Sequence, residues 1–146
     1  TEVALAAYLH WGESCFHKFN GMWAIAIYNE RSHELLLCRD RFGVKPLYFY
    51  QNNSNVLFSS ELKTFHSLKR IIPMKWDIRA LRTAIEDSFA LESSGASLIE
   101  NVCNLRPGHI VRFKGSQRIE ARWWSLIENL PTVSCSFESQ KEGFLS

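Results

Sequence analysis

Apolar residues fall into two rhythms along this chain. Val3, Leu5, Ala6 and Leu9 form a broad helical stripe, so a helix is predicted from Glu2 to about His10, capped by Thr1 and stopped at Gly12. A short helix from Glu13 then presents Phe16 and Phe19 on one side. The run MWAIAIY, Met22–Tyr28, is apolar without alternation, as in a strand buried on both faces. Leu35–Cys38, Leu47–Tyr50 and Val56–Ser60 read as three further strands, with polar turns at Asn29–Glu34 and 51–55. Short links of this kind favour antiparallel pairing, so residues 20–60 are expected to form one meander. Both of its faces are apolar, and each needs a cover, which implies a layered α+β sandwich.

Beyond Glu61–Leu68, a predicted helix, Pro73 marks a change of character. Asp77 is a natural N-cap for a helix over Ile78–Ala90, whose Ile78, Leu81, Ile85 and Phe89 recur at helical spacing. A small-residue loop at 92–97 follows. Pro107-Gly108 then turns the chain into a strand, and Gly115-Ser116 turns it again before Arg118–Leu126. Residues 127–146 are polar with scattered apolar positions and read as a linker or an interrupted helix.

Composition narrows the picture. With 146 residues, 46% of them hydrophobic and 22% charged, the chain suits one domain with a real core. A net charge of +2 is too small to imply a polyanionic partner. There is no run of 18 apolar residues to span a membrane, and the first ten residues lack the basic start of a secretory signal. Cys15, Cys38, Cys103 and Cys135 are scattered with no C-x-x-C pair, which points to reduced thiols in a cytoplasmic protein. Cys15 and His17 form a C-x-H pair, but no second pair stands at a zinc spacing.

The candidate chemistry centres on the charged knot Arg39-Asp40-Arg41 with Gly43, Lys45 and Pro46, set between two strand-like runs. It could bind an anion, stack single-stranded nucleic acid beside Phe42, Tyr48, Phe49 and Tyr50, or brace a turn. Nucleic acid fits poorly, because Leu47–Tyr50 alternates faces and Asp40 and Glu61 repel phosphate. The brace fits best: Asp40 compensates an arginine, Gly43 is free to adopt positive φ, and Pro46 holds Lys45 extended. His109 and His66 read as hydrogen-bonded structural residues, since no serine or cysteine stands near His109 in sequence. Trp123 and Trp124 are expected on opposite faces. Thr1 could be an N-terminal nucleophile, but the helix-forming run behind it favours capping.

Five ordered motifs carry a resemblance. FNGMWAIAIYNERSHELLLCRDRFGVKPLYFY followed by VLFSSELKTF resembles the glutaminase domain of the glutamine-hydrolysing asparagine synthetases, class II amidotransferases of the N-terminal-nucleophile hydrolase fold. Gly21–Ile27 matches the family's G-M-[FW]-A-[FI]-A-[IL] strand. Cys38–Tyr50 matches A-R-D-R-x-G-x-K-P-L-Y-Y with cysteine in the alanine place. Phe58–Lys63 matches F-A-S-E-[IL]-K with serine for alanine. LRPGHIVRF is similar to the L-P-P-G-H strand, with Arg106 for the first proline, and ARWWSL to R-Y-W-x-L, with Trp123 for tyrosine.

The resemblance runs from Thr1 to about Leu126. It implies an α-β-β-α sandwich, here incomplete, over residues 1–126, and a linker or the start of a synthetase domain over 127–146. It also implies where the chemistry lies. The family's nucleophilic cysteine, its carboxylate-binding arginine, its oxyanion Asn-Gly pair and the aspartate of S-D-x-E-V all fall upstream of Thr1. No catalytic, substrate-binding or metal residue is therefore assigned within this chain, and Arg39, Asp40, Gly43, Lys45 and Pro46 form a structural loop. Glutamine, aspartate, ATP and magnesium are the substrates and cofactors implied for the parent enzyme, with no cofactor in this chain. The isolated chain is expected to be inactive and, through an unpaired sheet edge, to be a homo-oligomer. A related amidotransferase with another acceptor, and a non-catalytic binding module on the same scaffold, are the alternatives.

Overall fold

The computed structural model describes residues 1–131 together with 136, 137, 140 and 141. Helix α1 (Glu2–Trp11) begins at Thr1, whose carbonyl accepts from the Leu5 amide at 3.0 Å while its hydroxyl makes no capping bond. Gly12, at φ 56°, ends the helix and opens a 3-10 turn (Gly12–Lys18) that buries Cys15 and Phe16.

Two hairpins follow, and each is closed by an asparagine. Asn29 accepts from the amides of Arg31 and Ser32 between β1 (Ala24–Asn29) and β2 (Glu34–Arg39). Asn52 accepts from those of Ser54 and Asn55 between β3 (Tyr48–Gln51) and β4 (Val56–Ser59). Each hairpin is antiparallel, but β2 does not pair with β3, so the single meander expected over residues 20–60 is corrected to two sheets. One sheet has the order β1-β2-β6-β7 and the other β4-β3-β5, completed by β5 (Val102–Asn104), β6 (His109–Lys114) and β7 (Gln117–Arg122). The physical reason lies in the eight residues 40–47. They curl around the Asp40 side chain and leave in the plane of the other sheet.

The period-two alternation of the strands sorts their side chains into three apolar clusters. Leu36, Cys38 and Ile110 face α1 and the 3-10 turn, packing on Ala7, Cys15 and Phe16. Leu37, Val111 and Phe113 face the other way and meet Leu47, Phe49 and Leu105 between the sheets. Tyr50 and Val102 cover the far side of the second sheet with Phe65, Ile72 and Ile99. The chain is thus α+β, with mutually antiparallel strands throughout its described sheets.

The helices depart further from expectation. Glu61–Leu68 contracts to α2 (Lys63–His66), which keeps Phe65 buried and His66 exposed. The helix expected over Ile78–Ala90 breaks into α3 (Ile78–Glu86) and α4 (Ser88–Ser94). Asp87 causes the break: it is extended at φ −157°, and its carboxylate caps α4 through the amides of Phe89 and Ala90. Asp77 caps α3 as its sequence suggests, accepting from Ala80. The apolar stripe, however, faces water: Ile78, Ile85 and Phe89 are 72%, 85% and 82% exposed. Past β7 lies a 3-10 turn, Ile127–Asn129; most of the expected linker (132–135, 138–139 and 142–146) falls outside the described residues. No helix among the described residues is long and apolar enough to cross a membrane.

Candidate functional site

The charged knot is the corner where the chain passes from one sheet to the other. Its two central side chains, Arg39 and Asp40, are each only 1% exposed. The expected pairing of Asp40 with an arginine is not what holds them. Asp40 accepts four backbone amides, those of Trp23, Phe42, Val44 and Lys45, each at 3.1 Å. A carboxylate so surrounded needs no cationic partner, because oriented N–H dipoles carry its charge.

Arg39 reaches the opposite way and spends all five donors. Its Nε donates to the Lys45 carbonyl at 2.9 Å, and Nη1 donates to the Leu105 carbonyl at 2.7 Å and Asn104 Oδ1 at 3.2 Å. Nη2 donates to the Gly43 carbonyl and, at 2.9 Å, to Glu92 Oε1. Glu92 on α4 is the acid that answers this buried guanidinium. The planar fork with five fixed donors is what such a site requires, and lysine could not replace it.

The remaining members of the loop serve these two. Gly43 sits at φ 67°, where a Cβ would stand 2.6 Å from Pro107 Cγ and 3.0 Å from Arg39 Cζ. Lys45 is exposed and contributes through its backbone, donating to Asp40 and accepting from Arg39. Pro46 delivers the chain to Leu47, whose carbonyl accepts from the Leu105 amide at 2.8 Å. Phe42 and Val44 lie outside, 64% and 51% exposed. The corner is also tied to the Pro107-Gly108 turn, since the Asp40 carbonyl accepts from Gly108 at 2.9 Å.

Other segments converge here. Trp123 stacks on Trp23 at 5.6 Å between centroids and donates its indole N–H to the Arg39 carbonyl. Trp124 turns away and meets Phe42 edge-on at 5.1 Å, so the two tryptophans do diverge. His109 Nδ1 lies 2.7 Å from the Pro107 carbonyl, a bond internal to the turn. Two of the described cysteines are poorly placed for nucleophilic chemistry. Cys15 and Cys38 are buried, and burial pushes both thiols up, away from the thiolate. No group of three or more His, Cys, Asp or Glu side chains among the described residues could hold a metal.

Residues 1–124 match the family of the glutamine amidotransferase domain. The chain belongs to that family. Asparagine synthetase [glutamine-hydrolyzing] 3 of Bacillus subtilis (strain 168) is 32% identical over 129 residues, covering 86% of this chain and 20% of its own length. Putative asparagine synthetase [glutamine-hydrolyzing] 2 of Methanocaldococcus jannaschii is 44% identical over 71 residues, covering 49% of this chain and 14% of that protein. Amidase chry2 of Gibberella zeae is 29% identical over 126 residues, covering 86% of this chain and 18% of that one. The chain therefore spans at most about a fifth of the length of these relatives.

In this amidotransferase domain the two sheets gape on the side of their edge strands. Between β1 and β4, a cavity of about 440 Å³ is lined by Ala26, Leu35, Val56, Phe58 and Phe113, with Tyr28 and His33 at its rim. A second hollow, of about 570 Å³, lies between α1 and the free edge of β1 and is lined by Leu5, Trp23, Ile25 and Ile27. Sequence reasoning placed apolar residues in these strands but not the openings between them, which depend on the sheet switch at the corner.

Proposed function

We propose that these residues are the scaffold portion of the glutaminase domain of a glutamine-dependent asparagine synthetase, with the sandwich fold of the N-terminal-nucleophile hydrolases. The parent enzyme hydrolyses glutamine to glutamate and ammonia, and the ammonia amidates aspartate activated with ATP and magnesium. In this reading the nucleophilic cysteine, its oxyanion donors and the glutamine-binding groups come from sequence outside residues 1–146. The present residues then supply the two stacked sheets on which those groups are mounted.

The observation that carries the reading is the convergence at the corner. Four segments that resemble the asparagine synthetases are separate in sequence: Gly21–Ile27, Cys38–Tyr50, Leu105–Phe113 and Ala121–Leu126. Their residues meet around Arg39 and Asp40 through hydrogen bonds and the Trp23–Trp123 stack. Parts that must fit one another at a single point support common descent of the whole scaffold, not a chance match of one motif.

A second reading, in which the acceptor is not aspartate, draws on the 29% identity to a protein named as an amidase. Both readings are tested by one set of assays. Full-length protein carrying this chain should release glutamate from glutamine and form asparagine only with aspartate and ATP–magnesium, whereas residues 1–146 alone should release none above background. Amide formed on another acceptor would favour the second reading. A full-length protein that hydrolyses no glutamine would leave the scaffold as a binding module.

A further inference from the structure

Arg39 is locked in the corner, but its neighbour Arg41 faces a different hollow. On the outer side of the corner a cavity of about 320 Å³ is lined by Arg41, Arg106, His109, Arg122 and Trp124, together with small and apolar residues. Among the described residues no aspartate or glutamate lines it. The surrounding charges do not balance. Arg106 and Arg118 share the single carboxylate of Glu120, at 3.0 and 2.8 Å, and Arg122 reaches Glu128 at 2.6 Å. Arg41 donates to the His17 carbonyl at 2.7 Å and forms no ion pair among the described residues. Among the described residues the three lining guanidiniums, Arg41, Arg106 and Arg122, are thus answered by two carboxylates outside the cavity, one of them shared with Arg118.

The walls also hold their shape. Arg106 and His109 flank the Pro107-Gly108 turn, where the Trp124 carbonyl would stand 2.5 Å from any Cβ on Gly108, so the turn and the Trp124 segment are in close backbone contact. Arg122 ends β7, paired opposite His109 on β6. Arg41 leaves directly from the hydrogen-bonded corner.

We propose that this cavity is a binding site for a phosphate-type oxyanion, held by Arg41, Arg106 and Arg122. Guanidinium forks suit such an anion because they meet its oxygens two at a time. Trp124 offers a flat apolar wall beside the cations, which would suit a phosphate carried on a nucleoside as well as a free one. This proposal is independent of the glutaminase reading and makes no use of glutamine.

The test is calorimetric titration of full-length protein carrying this chain with inorganic phosphate and with AMP. Arg41→Gln and Arg122→Gln should each weaken phosphate binding about tenfold, the loss of one charge-assisted contact. Arg122→Lys should recover part of that loss. Arg82→Gln, which removes an exposed arginine paired with Glu86 on α3, should leave it unchanged. Tighter binding of AMP than of phosphate, lost in Trp124→Ala, would assign the phosphate to a nucleotide; equal binding would assign a free anion. Absence of phosphate binding, or binding that Arg41→Gln and Arg122→Gln leave intact in variants with native circular dichroism, overturns the proposal.

Discussion

Replacing Asp40 by asparagine changes one atom and tests whether the corner is held by charge on a ring of amides. Oδ1 accepts from Phe42 and Val44, and Oδ2 accepts from Trp23 and Lys45. Asparagine keeps one acceptor oxygen for one pair. Its amide nitrogen then faces the other pair donor to donor. Two charge-assisted bonds are lost, and hydrogen bonds to charged groups contribute about 1.5–3 kcal/mol each. Water can reach amides on exposed residues such as Lys45, so the expected loss for Asp40→Asn is roughly 2–4 kcal/mol. Asp40→Ala strands all four donors and should cost at least as much, about 3–5 kcal/mol. Asp77 is the internal control. It caps α3 through a single amide, and asparagine caps as well as aspartate, so Asp77→Asn should cost less than ~0.5 kcal/mol. Urea midpoints followed by tryptophan fluorescence would measure all three, since the Trp23 carbonyl accepts the Asp40 amide and reports on the corner. If Asp40→Asn and Asp77→Asn lost the same stability, the account of Asp40 as a charge held by backbone dipoles would be wrong.

Two further outcomes are expected. Gly108 and Gly115 have similar positive φ, 64° and 58°, but an added Cβ meets the Trp124 carbonyl at 2.5 Å in the first case and open space in the second. Gly115→Ala should therefore cost only the left-handed strain, about 1–2 kcal/mol, and Gly108→Ala clearly more; equal losses in thermal melts would contradict this. Burial raises the Glu120 carboxyl, but hydrogen bonds from Arg118 and Arg106 outweigh it and hold its pKa below the usual value. The stability this group supplies is present above the unfolded pKa, about 4.3, and fades as pH falls through the lower folded value. Glu120→Gln should thus be less stable than the parent at pH 7, with the gap closing in acid; a gap unchanged down to pH 3 would refute the assignment.

Much of the local structure was legible in the residues themselves. The polar stretches Asn29–Glu34 and 51–55 marked the hairpin turns, and the apolar run at Leu35–Cys38 lies inside β2. What could not be read was anything decided at long range. Arg39 finds its distant acceptors at Glu92, Asn104 and Leu105, and nothing near residue 39 says so. The short link from Cys38 to Leu47 argued for one sheet, but the Asp40 side chain uses that link as a cage and turns it into a switch. The helical period of Ile78 and Ile85 held within α3 and was silent about burial, and it failed at Phe89, which lies past the break at Asp87. Asp87 carried the same capping signal as Asp77 and could have marked the break between α3 and α4. The functional site was legible only through the resemblance, since the corner taken alone is a brace.

That brace also bears on the order in which the chain comes together. In a half-formed chain Arg39 and Asp40 are comfortably hydrated, and each hairpin can close from neighbours a few residues away. Stacking the sheets strips that water. Arg39 finds two acceptors nearby, the Gly43 and Lys45 carbonyls, but the other three arrive from Glu92, Asn104 and Leu105, 53 to 66 positions along the chain. Until that distant segment docks, dehydrating the arginine is uphill. The corner therefore acts as a gate on collapse: hairpins form early, and the sheets are held apart until β5 and the Pro107-Gly108 turn are delivered. Such dependence on distant closure places this fold among the slower ones for its size, and makes the segment from Glu92 to Gly108 the step on which assembly of the core waits.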